Sequence, residues 1–499
     1  MSDDHAAKAI SAYGAGINHT PNLDRLADGG MLFNHCYVTN SICTPSRATI
    51  LTGTHNHVNG VMTLDHKINN LIPQAHRHMA RAGYQTAMIG KWHLGDGPAH
   101  CPKDWDYWSV VPGQGAYYDP IFIGPNGKIK EKGYCTDIIT DKTIDFLEKR
   151  DTNKPFFVMC HHKAPHRPWE CDPKHKHLYQ EDIKVPETFD DDYKNRAAAA
   201  GAAKMRVSDD LTYEDLGLSQ PEGGDDDVGE LALPFLPFLK QRKVPYPEDV
   251  TKMVLIDKET GENYTFKNRD ELRHFKYQRY MKRYCRTLHS VDVNVGRIID
   301  YVEGLGKEIS DNTMIIYTSD QGMFLGDHGW FDKRFIYEES FQMPLLIKYP
   351  AEIKAGSVCN DIVSNVDFAP LWLDIAGCPI PSYMQGFSFR KLLHGETPEY
   401  WQKVAYHRYW MHNDIPHEAR AHYGIRNQRY KIIYWYNRDF GLSGANPGGE
   451  PPEWELFDCD KDPLEVLNQV ENSEYQNVFN EMKKMLEDKM NEIGDIWVH

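Results

Sequence analysis

The stretch Cys43-Thr44-Pro45-Ser46-Arg47-Ala48-Thr49-Ile50-Leu51-Thr52-Gly53 sets a cysteine at the mouth of a short helix. Pro45, with its fixed φ and missing N–H, suits a first helical residue, Thr44 is placed to cap it, and Gly53 supplies a left-handed stop. Cys43 thereby lies beside unpaired backbone N–H groups, a setting that attracts anions and lowers the pKa of a thiol. Arg47 follows one turn later, where its guanidinium can reach back toward the same point. A buried structural cysteine ahead of an ordinary helix is the plainer alternative; the arginine and the cap favour a reactive position.

Working outward, strands repeatedly empty into polar clusters. A capped helix over Thr20–Gly30 and a strand over Met31–Val38 lead into the Cys43 helix. A helix over Pro73–Ala82, stopped by Gly83, precedes a buried strand Gln85–Ile89 that ends in Gly90-Lys91-Trp92-His93-Leu94-Gly95. A helix over Asp137–Arg150 with an Ile138, Ile139, Ile144, Leu147 stripe precedes the strand Pro155–Cys160. That strand ends in His161-His162-Lys163-Ala164-Pro165-His166-Arg167-Pro168-Trp169. The two prolines and the lack of i, i+4 spacing disfavour a three-histidine zinc cage, so one histidine is read as an acid/base group.

A long helix carrying Tyr284, Leu288, Val291, Val295, Ile298 and Val302, ended by Gly304 and Gly306, delivers the chain to the strand Thr313–Thr318. This strand runs into Ser319-Asp320-Gln321-Gly322 and then a segment reaching Lys333. Open α/β sheets bind ligands at the carboxyl ends of their strands, so the four clusters are expected to converge.

Between Ile183 and Asn268 the composition shifts to the acidic runs Asp190–Asp192 and Asp225–Asp227, an alanine tract and the Pro-rich Leu233–Pro237. This is expected to be a loop-rich surface insertion, its acids solvated because they lack the spacing of a calcium loop. Strands Met343–Tyr349 and a helix Asp367–Gly377 close a large domain, 1–385. A smaller α+β domain, 386–499, follows, with strand-like pieces Gly424–Arg426, Tyr430–Tyr436 and Trp454–Phe457. Its terminal helix has the apolar face Val478, Phe479, Met482, Met485, Leu486, Met490, Ile493, read as core packing.

The 499 residues are 41% hydrophobic and 12% aromatic, a globular composition, and the net charge of −16 argues against nucleic acid or an acidic membrane as partner. Ten scattered cysteines form no C-x-x-C pair. No apolar run is long enough to cross a bilayer and the first residues lack signal-peptide architecture, so the chain as written is expected in the cytoplasm. It would be periplasmic or secreted if the natural start lies upstream.

Asp3, Asp4 and Asp320 with Gln321 offer hard oxygen ligands suited to Ca²⁺ or Mg²⁺ rather than zinc. Together with Arg47, Lys91, His93, His166 and Lys333 they make a site that neutralises non-bridging oxygens of a transferring anionic group, so the substrate is an anionic ester.

These segments carry a family resemblance. Cys43-Thr44-Pro45-Ser46-Arg47 resembles the C-x-P-S-R signature of type I, formylglycine-dependent sulfatases of the alkaline-phosphatase-like superfamily. The Gly90–Gly95, Pro165-His166, Ser319–Gly322 and Lys333 segments are similar in order and spacing. The resemblance implies an α/β sandwich with a large, mostly parallel central sheet flanked by helices, and a smaller C-terminal domain with a short antiparallel sheet. It implies that a formylglycine-generating maturation enzyme oxidises Cys43 to formylglycine, whose hydrated aldehyde attacks sulfur with help from Asp320. One Ca²⁺ (or Mg²⁺) is held by residue 43, Asp3, Asp4, Asp320 and Gln321. Arg47 and Lys91 stabilise diol and sulfate charge, Lys333 binds a sulfate oxygen, His166 protonates the leaving oxygen, and His93 takes the remaining hydroxyl proton before sulfate is expelled. Lys91, His166 and Lys333 thus also bind substrate.

The sequence departs from the family in two places. Gln321 stands where many sulfatases have Asn or His, and only Met1 and Ser2 stand where an apolar strand normally precedes the acid pair. The sheet either lacks that strand or the start lies within a longer protein. Two other functions remain open: a phosphate or phosphonate monoester hydrolase of the same superfamily, and a non-catalytic glycan-binding relative. The expected substrate is a sulfated carbohydrate, a glycosaminoglycan or other sulfated glycan. Trp169, Tyr406, Trp410, His412, His422 and Trp435 are candidates for walls that stack on sugar rings, against the alternative of ordinary packing.

Overall fold

The computed structural model describes residues 1–219 and 249–499; the Asp225–Asp227 run and Leu233–Pro237 lie outside the described residues. In chain order the elements that position the site begin with helix α1 (Pro21–Asp28), strand β1 (Met31–Phe33) and helix α2 (Cys43–Thr52). Strands β2 (Gln85–Lys91), β3 (Tyr107–Val111), β4 (Ile121–Gly124) and β5 (Gly127–Lys130) precede helix α3 (Cys135–Lys149) and strand β6 (Phe156–His161). Helix α4 (Arg269–Gly304) leads to β7 (Ile315–Thr318), β8 (Leu345–Lys348), β9 (Ser357–Cys359) and helix α5 (Phe368–Ile375). Strands β10 (Ala405–Tyr409), β11 (His422–Arg426), β12 (Tyr430–Trp435) and β13 (Glu453–Asp458) and helix α6 (Gln476–Ile493) follow.

Two sheets form the centre, in the orders β5-β4-β3-β2-β6 and β7-β8-β1-β9. β2 runs parallel to both β3 and β6 and β1 parallel to β9, whereas β8 and the β4–β5 hairpin pair antiparallel. The parallel ladders lie toward one side of each sheet, β3-β2-β6 in the first and the edge pair β1-β9 in the second; the antiparallel members make the sheets more mixed than the sequence suggested. Met1–Asp3 join the sheets. The His162 N–H donates to Met1 O (2.9 Å), the Ser2 N–H to Thr318 O (3.0 Å), and Ser2 bridges Ser319 in parallel register. A cavity of about 610 Å³ continues between β6 and β7, lined by apolar residues including Leu147, Phe157, Ile316 and Phe368.

Helix α4 is 36 residues long, capped by the Asn268 side chain on the Glu271 N–H, and buries Tyr284, Leu288, Val291, Val295 and Val302 as its periodicity predicts. Upstream of it the structure corrects the expectation of a surface excursion. Leu218–Ser219, Val254–Asp257 and Asn263–Thr265 form a three-stranded sheet, and Leu211, Tyr213, Leu216 and Leu255 share one apolar core with the start of α4. Leu and Val there lacked a long periodic run, so tertiary burial rather than local pattern makes the strands. The alanine tract is a short half-buried helix, Ala198–Ala202, with Ala199 and Ala200 in the core. Asp191 is not solvated: its carboxylate meets Arg196 and lies 3.2 Å from His328 Nδ1.

β10-β11-β12-β13 form an all-antiparallel sheet covered by α6, whose Met482, Leu486, Met490 and Ile493 pack on Ile425 and Ile432. All ten cysteines are free, and no helix among the described residues is long and apolar enough to cross a membrane.

Candidate active site

The carboxyl ends of β2, β6 and β7 and the start of α2 meet at one point. Gly90 makes the approach possible: at φ 97°, a Cβ there would lie 1.9 Å from His161 O, so only glycine lets β2 close on β6 and bring Lys91 beside His161. Gly322 does the same after β7, where a Cβ would lie 2.1 Å from Glu339 O.

Helix α2 starts two residues earlier than expected. Ile42, extended at φ −153°, is its N-cap, Cys43 is its first residue, and no side chain caps it; Thr44 turns instead to His93, Oγ1 to Nδ1 3.3 Å. Every residue of the helix is buried. That burial overturns the expected drop in the thiol pKa: burial pushes Cys43 up to about 11, against the pull of Lys333 and Lys91. At neutral pH only about one such thiol in 10⁴ is ionised, so the encoded cysteine is a poor nucleophile as it stands.

Arg47 is the tie between the acids. Its Nε donates to Asp320 Oδ2 (3.0 Å), its Nη2 to Asp3 Oδ2 (2.8 Å), and its Nη1 to Lys91 O (2.8 Å). Asp3 also pairs with the Lys91 ammonium, and Asp4 with Lys333 and with the Gln321 amide. The Asp4 N–H donates to Asp320 Oδ1 (3.2 Å), and Asp4 holds a left-handed φ of 68°. His93, at φ 54°, also turns through that region.

The electrostatics split the acids. Burial alone would raise Asp3, but Lys91 and Arg47 hold it well below the usual carboxylate range. Burial raises Asp4 to about 7, Lys333 opposing and Asp3 and Asp320 adding their repulsion; Asp320 is raised by burial and by Asp3. Burial followed by the Lys91 charge depresses both His93 and His166. His166 Nδ1 lies 2.7 Å from Arg167 O, which fixes the proton on Nδ1 and turns Nε2 toward Asp4 Oδ2, 3.8 Å away.

One ligand atom from each of Asp3, Asp4 and Asp320 lies within 4.8 Å of the others, and the same holds for Asp3, Cys43 and His166. Asp3 Oδ1 and Gln321 Oε1 are buried with no hydrogen-bond partner. Two orphaned oxygens in a site with three carboxylates fit a hard, oxygen-liganded cation. All ten candidate residues, Asp3, Asp4, Cys43, Arg47, Lys91, His93, His166, Asp320, Gln321 and Lys333, are thus brought together. Gln114, whose Oε1 accepts from Lys91, went unread in the sequence because it sits in a Gly-rich turn after β3 with no motif around it. His161, expected only as one of three histidines, sits beside Arg47, and His162 faces away toward Cys160.

The proposed sugar-stacking residues are corrected. Trp169 and Trp435 are fully buried, Trp169 against Tyr280 (4.5 Å between ring centres) and Trp435 donating to Glu455 Oε2 (2.9 Å). His422 accepts from the Ile336 N–H (3.1 Å), and the Tyr406 hydroxyl donates to Asp495 (2.6 Å). Trp410 lies under Arg408 (3.7 Å) and His412 Nδ1 accepts from the Ala421 N–H (3.1 Å). None is more than 8% exposed, so these rings are packing, not walls.

The family model described as sulfatase matches residues 1–378, and that for the C-terminal part of N-sulphoglucosamine sulphohydrolase matches 326–492. An N-acetylglucosamine-6-O-sulfatase of Bacteroides thetaiotaomicron is 41% identical, over 99% of this chain and 86% of its own. A human N-acetylglucosamine-6-sulfatase is 28% identical over 76% of this chain and 61% of its own. A solved structure in complex with its substrate D-glucosamine-2-N,6-O-disulfate superimposes with a TM-score of 0.84 at 39% identity, covering 99% and 97% of the two chains. A phosphonate monoester hydrolase of Agrobacterium radiobacter shares the fold alone, with a TM-score of 0.68 at 18% identity over 98% and 94% of the chains. With the cysteine of the C-x-P-S-R helix set over three clustered carboxylates and the match running across most of its length, this chain belongs to the sulfatase family and is a sulfuric ester hydrolase.

Proposed function

We propose that this sulfatase removes a 6-O-sulfate from a glucosamine unit of a glycosaminoglycan-type sugar, using formylglycine made from Cys43 and one bound Ca²⁺. The observation that carries this reading is the meeting of Cys43, Asp3 and His166 ligand atoms within 4.8 Å, a nucleophile position flanked by a cation site and an acid. The 41% identical N-acetylglucosamine-6-O-sulfatase supports the choice of sugar.

Asp3, Asp4, Asp320 and Gln321 would hold the cation, whose charge neutralises sulfate oxygens while the hydrated aldehyde at position 43 supplies the attacking hydroxyl. Arg47 and Lys91, paired with Asp3, and Lys333, paired with Asp4, bring fixed positive charge to that position. Asp320, already raised by burial, is suited to receive the proton released there. His166 keeps Nδ1–H on Arg167 O, so a second proton at Nε2 is the one delivered to the leaving sugar oxygen. Its pKa is depressed by burial and lysine charge, and an anionic sulfate bound between those lysines reverses part of that shift. His93, held at Thr44, takes the remaining proton at position 43.

The test is to produce the protein with a formylglycine-generating enzyme, confirm the modified residue by peptide mass spectrometry, and compare 6-O-sulfated N-acetylglucosamine with its 3-O-sulfated isomer, the N-sulfated sugar, and an aryl phosphate. Preferred turnover of the 6-O-sulfate supports the reading. Faster cleavage of the phosphate, or full turnover with Cys43 unmodified, refutes it.

A further inference from the structure

The segment that delivers Cys43 is gripped from behind by the C-terminal sheet. Helix α2 has no side-chain cap, so where it starts is decided by what holds the residues before it. Ser41 is held on every polar group. Its N–H donates to His407 Nε2 (3.0 Å) and its carbonyl accepts from the Arg334 N–H (3.1 Å). Its hydroxyl donates to Ser340 O (3.2 Å) and lies 3.0 Å from the same His407 Nε2. The Arg408 N–H donates to Thr39 O (2.9 Å), so consecutive residues of β10 take both ends of the segment 39–41.

His407 is placed as an acceptor. It is fully buried, stacks on His422 of the neighbouring strand β11 (5.3 Å between ring centres) and meets Phe341 edge-on (5.5 Å). Burial, with the His422 and Lys431 charges adding to it, holds its pKa well below the usual imidazole range. The neutral ring carries one proton, and accepting the Ser41 N–H at Nε2 puts that proton on Nδ1, which has no hydrogen-bond partner. The ring leaves one of its own polar atoms unpaired while pairing a main-chain N–H two residues before Cys43, an arrangement suited to holding that segment rather than to filling space. Its stacking partner makes the same kind of bond: His422 Nε2 accepts from the Ile336 N–H.

We propose that His407 is a positioning residue of the sulfatase reaction, through which the C-terminal sheet sets the start of α2 and, with it, the place of residue 43 against Asp3 and Asp320. Productive attack requires alignment to within about 0.5 Å, and a contact two residues from the nucleophile controls displacements of that size. His407 has no exposed surface and does not meet substrate, so its effect falls on kcat rather than on KM. The proposal rests on the nucleophile role given above to position 43.

Gln and Asn separate holding from packing, because they carry the same amide and differ in reach. From Cβ, the Gln Oε1 extends as far along the side chain as the His Nε2 and can accept the Ser41 N–H, whereas the Asn Oδ1 stops short of it. His407→Gln, His407→Asn and His407→Leu are produced with the formylglycine-generating enzyme. Their kcat and KM on 4-nitrophenyl sulfate and on 6-O-sulfated N-acetylglucosamine are referred to the amount of folded protein carrying formylglycine, read by thermal unfolding and peptide mass spectrometry.

The expected result is a kcat ~10²-fold lower for His407→Leu and His407→Asn on both substrates, within ~5-fold of wild type for His407→Gln, and KM within ~2-fold throughout. A residue that only stabilises the fold would lower the melting temperature and leave kcat per folded, modified molecule unchanged, which overturns the proposal. A raised KM at unchanged kcat overturns it as well, as does a His407→Gln enzyme as impaired as His407→Leu. If His407→Leu fails to fold, the Gln–Asn pair carries the same comparison. Cys43→Ala is the reference: if it retains turnover, the nucleophile reading falls and the positioning claim with it. If it loses turnover while His407→Leu and His407→Asn keep theirs, only the positioning claim falls.

Discussion

The molecule buries two charge clusters side by side, and they are built on opposite principles. Around Asp332 every carboxylate oxygen faces a guanidinium, imidazole, hydroxyl or amide, and both acids end up depressed. Burial would raise them, but Arg334 and Arg167 hold Asp332 well below the ordinary range, and Arg334 and His417 bring Asp414 to about 2. Around Cys43 three carboxylates crowd together, two oxygens have no partner, and Asp4 rises to about 7. The first cluster is complete as a piece of structure, whereas the second leaves buried oxygens without partners, as the proposed cation would require. Unmatched buried charge marks the functional site more sharply than buried charge itself.

The contrast can be broken in order of expected effect. Cys43→Ala should lower turnover of any sulfate ester at least ~10⁴-fold while leaving the melting temperature within a few degrees, because the role proposed for the residue is chemistry and not packing. Retained turnover would place the nucleophile elsewhere. In the matched cluster the balance reverses: Asp414→Ala leaves Arg334 and His417 buried without their acid and should cost about 3–5 kcal/mol in chemical denaturation. A cost below about 1 kcal/mol would show that these pairs add nothing.

Calcium at a hundred times its Kd should raise the stability of the wild type by about 2.7 kcal/mol. Gln321→Met removes the amide donation to Asp4, so it should be less stable than wild type without calcium, and it should also gain less from the ion because Oε1 is lost. An equal gain would remove Gln321 from the ligand set.

The smallest effect is on the acid limb. Asp414 is depressed in the folded state, so its stabilisation is present above the unfolded carboxylate pKa of about 4 and is lost as pH falls through about 2. Asp414→Asn should flatten that limb by roughly 2 kcal/mol. An unaltered acid limb would mean that Asp414 retains its proton affinity on unfolding.

Much of the site was legible because its residues sit where strands end: Lys91 at the end of β2, His166 after β6, Asp320 and Gln321 after β7, and Cys43 at the start of α2. The α/β class followed from the same alternation. What was not legible depends on distance in space. Arg334 meets Asp414 eighty residues away, and no local pattern in either segment announces it. Trp169 and Trp435 read equally well as sugar platforms or core, and only burial decides. The thiol of Cys43 was misjudged because the helix start is a local feature whereas desolvation is a property of the whole fold. The small sheet that includes Leu218–Ser219 was missed for the same reason.

Asp4 turns through φ 68° and His93 through φ 54°. Beyond glycine, asparagine and aspartate are the side chains most at ease in that region, and β-branched residues are the least. For anyone diversifying this enzyme, position 4 thus has a short alphabet set by the backbone before the metal is considered. Asn keeps the turn and an oxygen but drops the charge, while Glu keeps the charge at the expense of the turn. Libraries built to shift metal or substrate preference gain more from opening Gln321 and Gln114, which carry no such backbone constraint, than from randomising the acid pair.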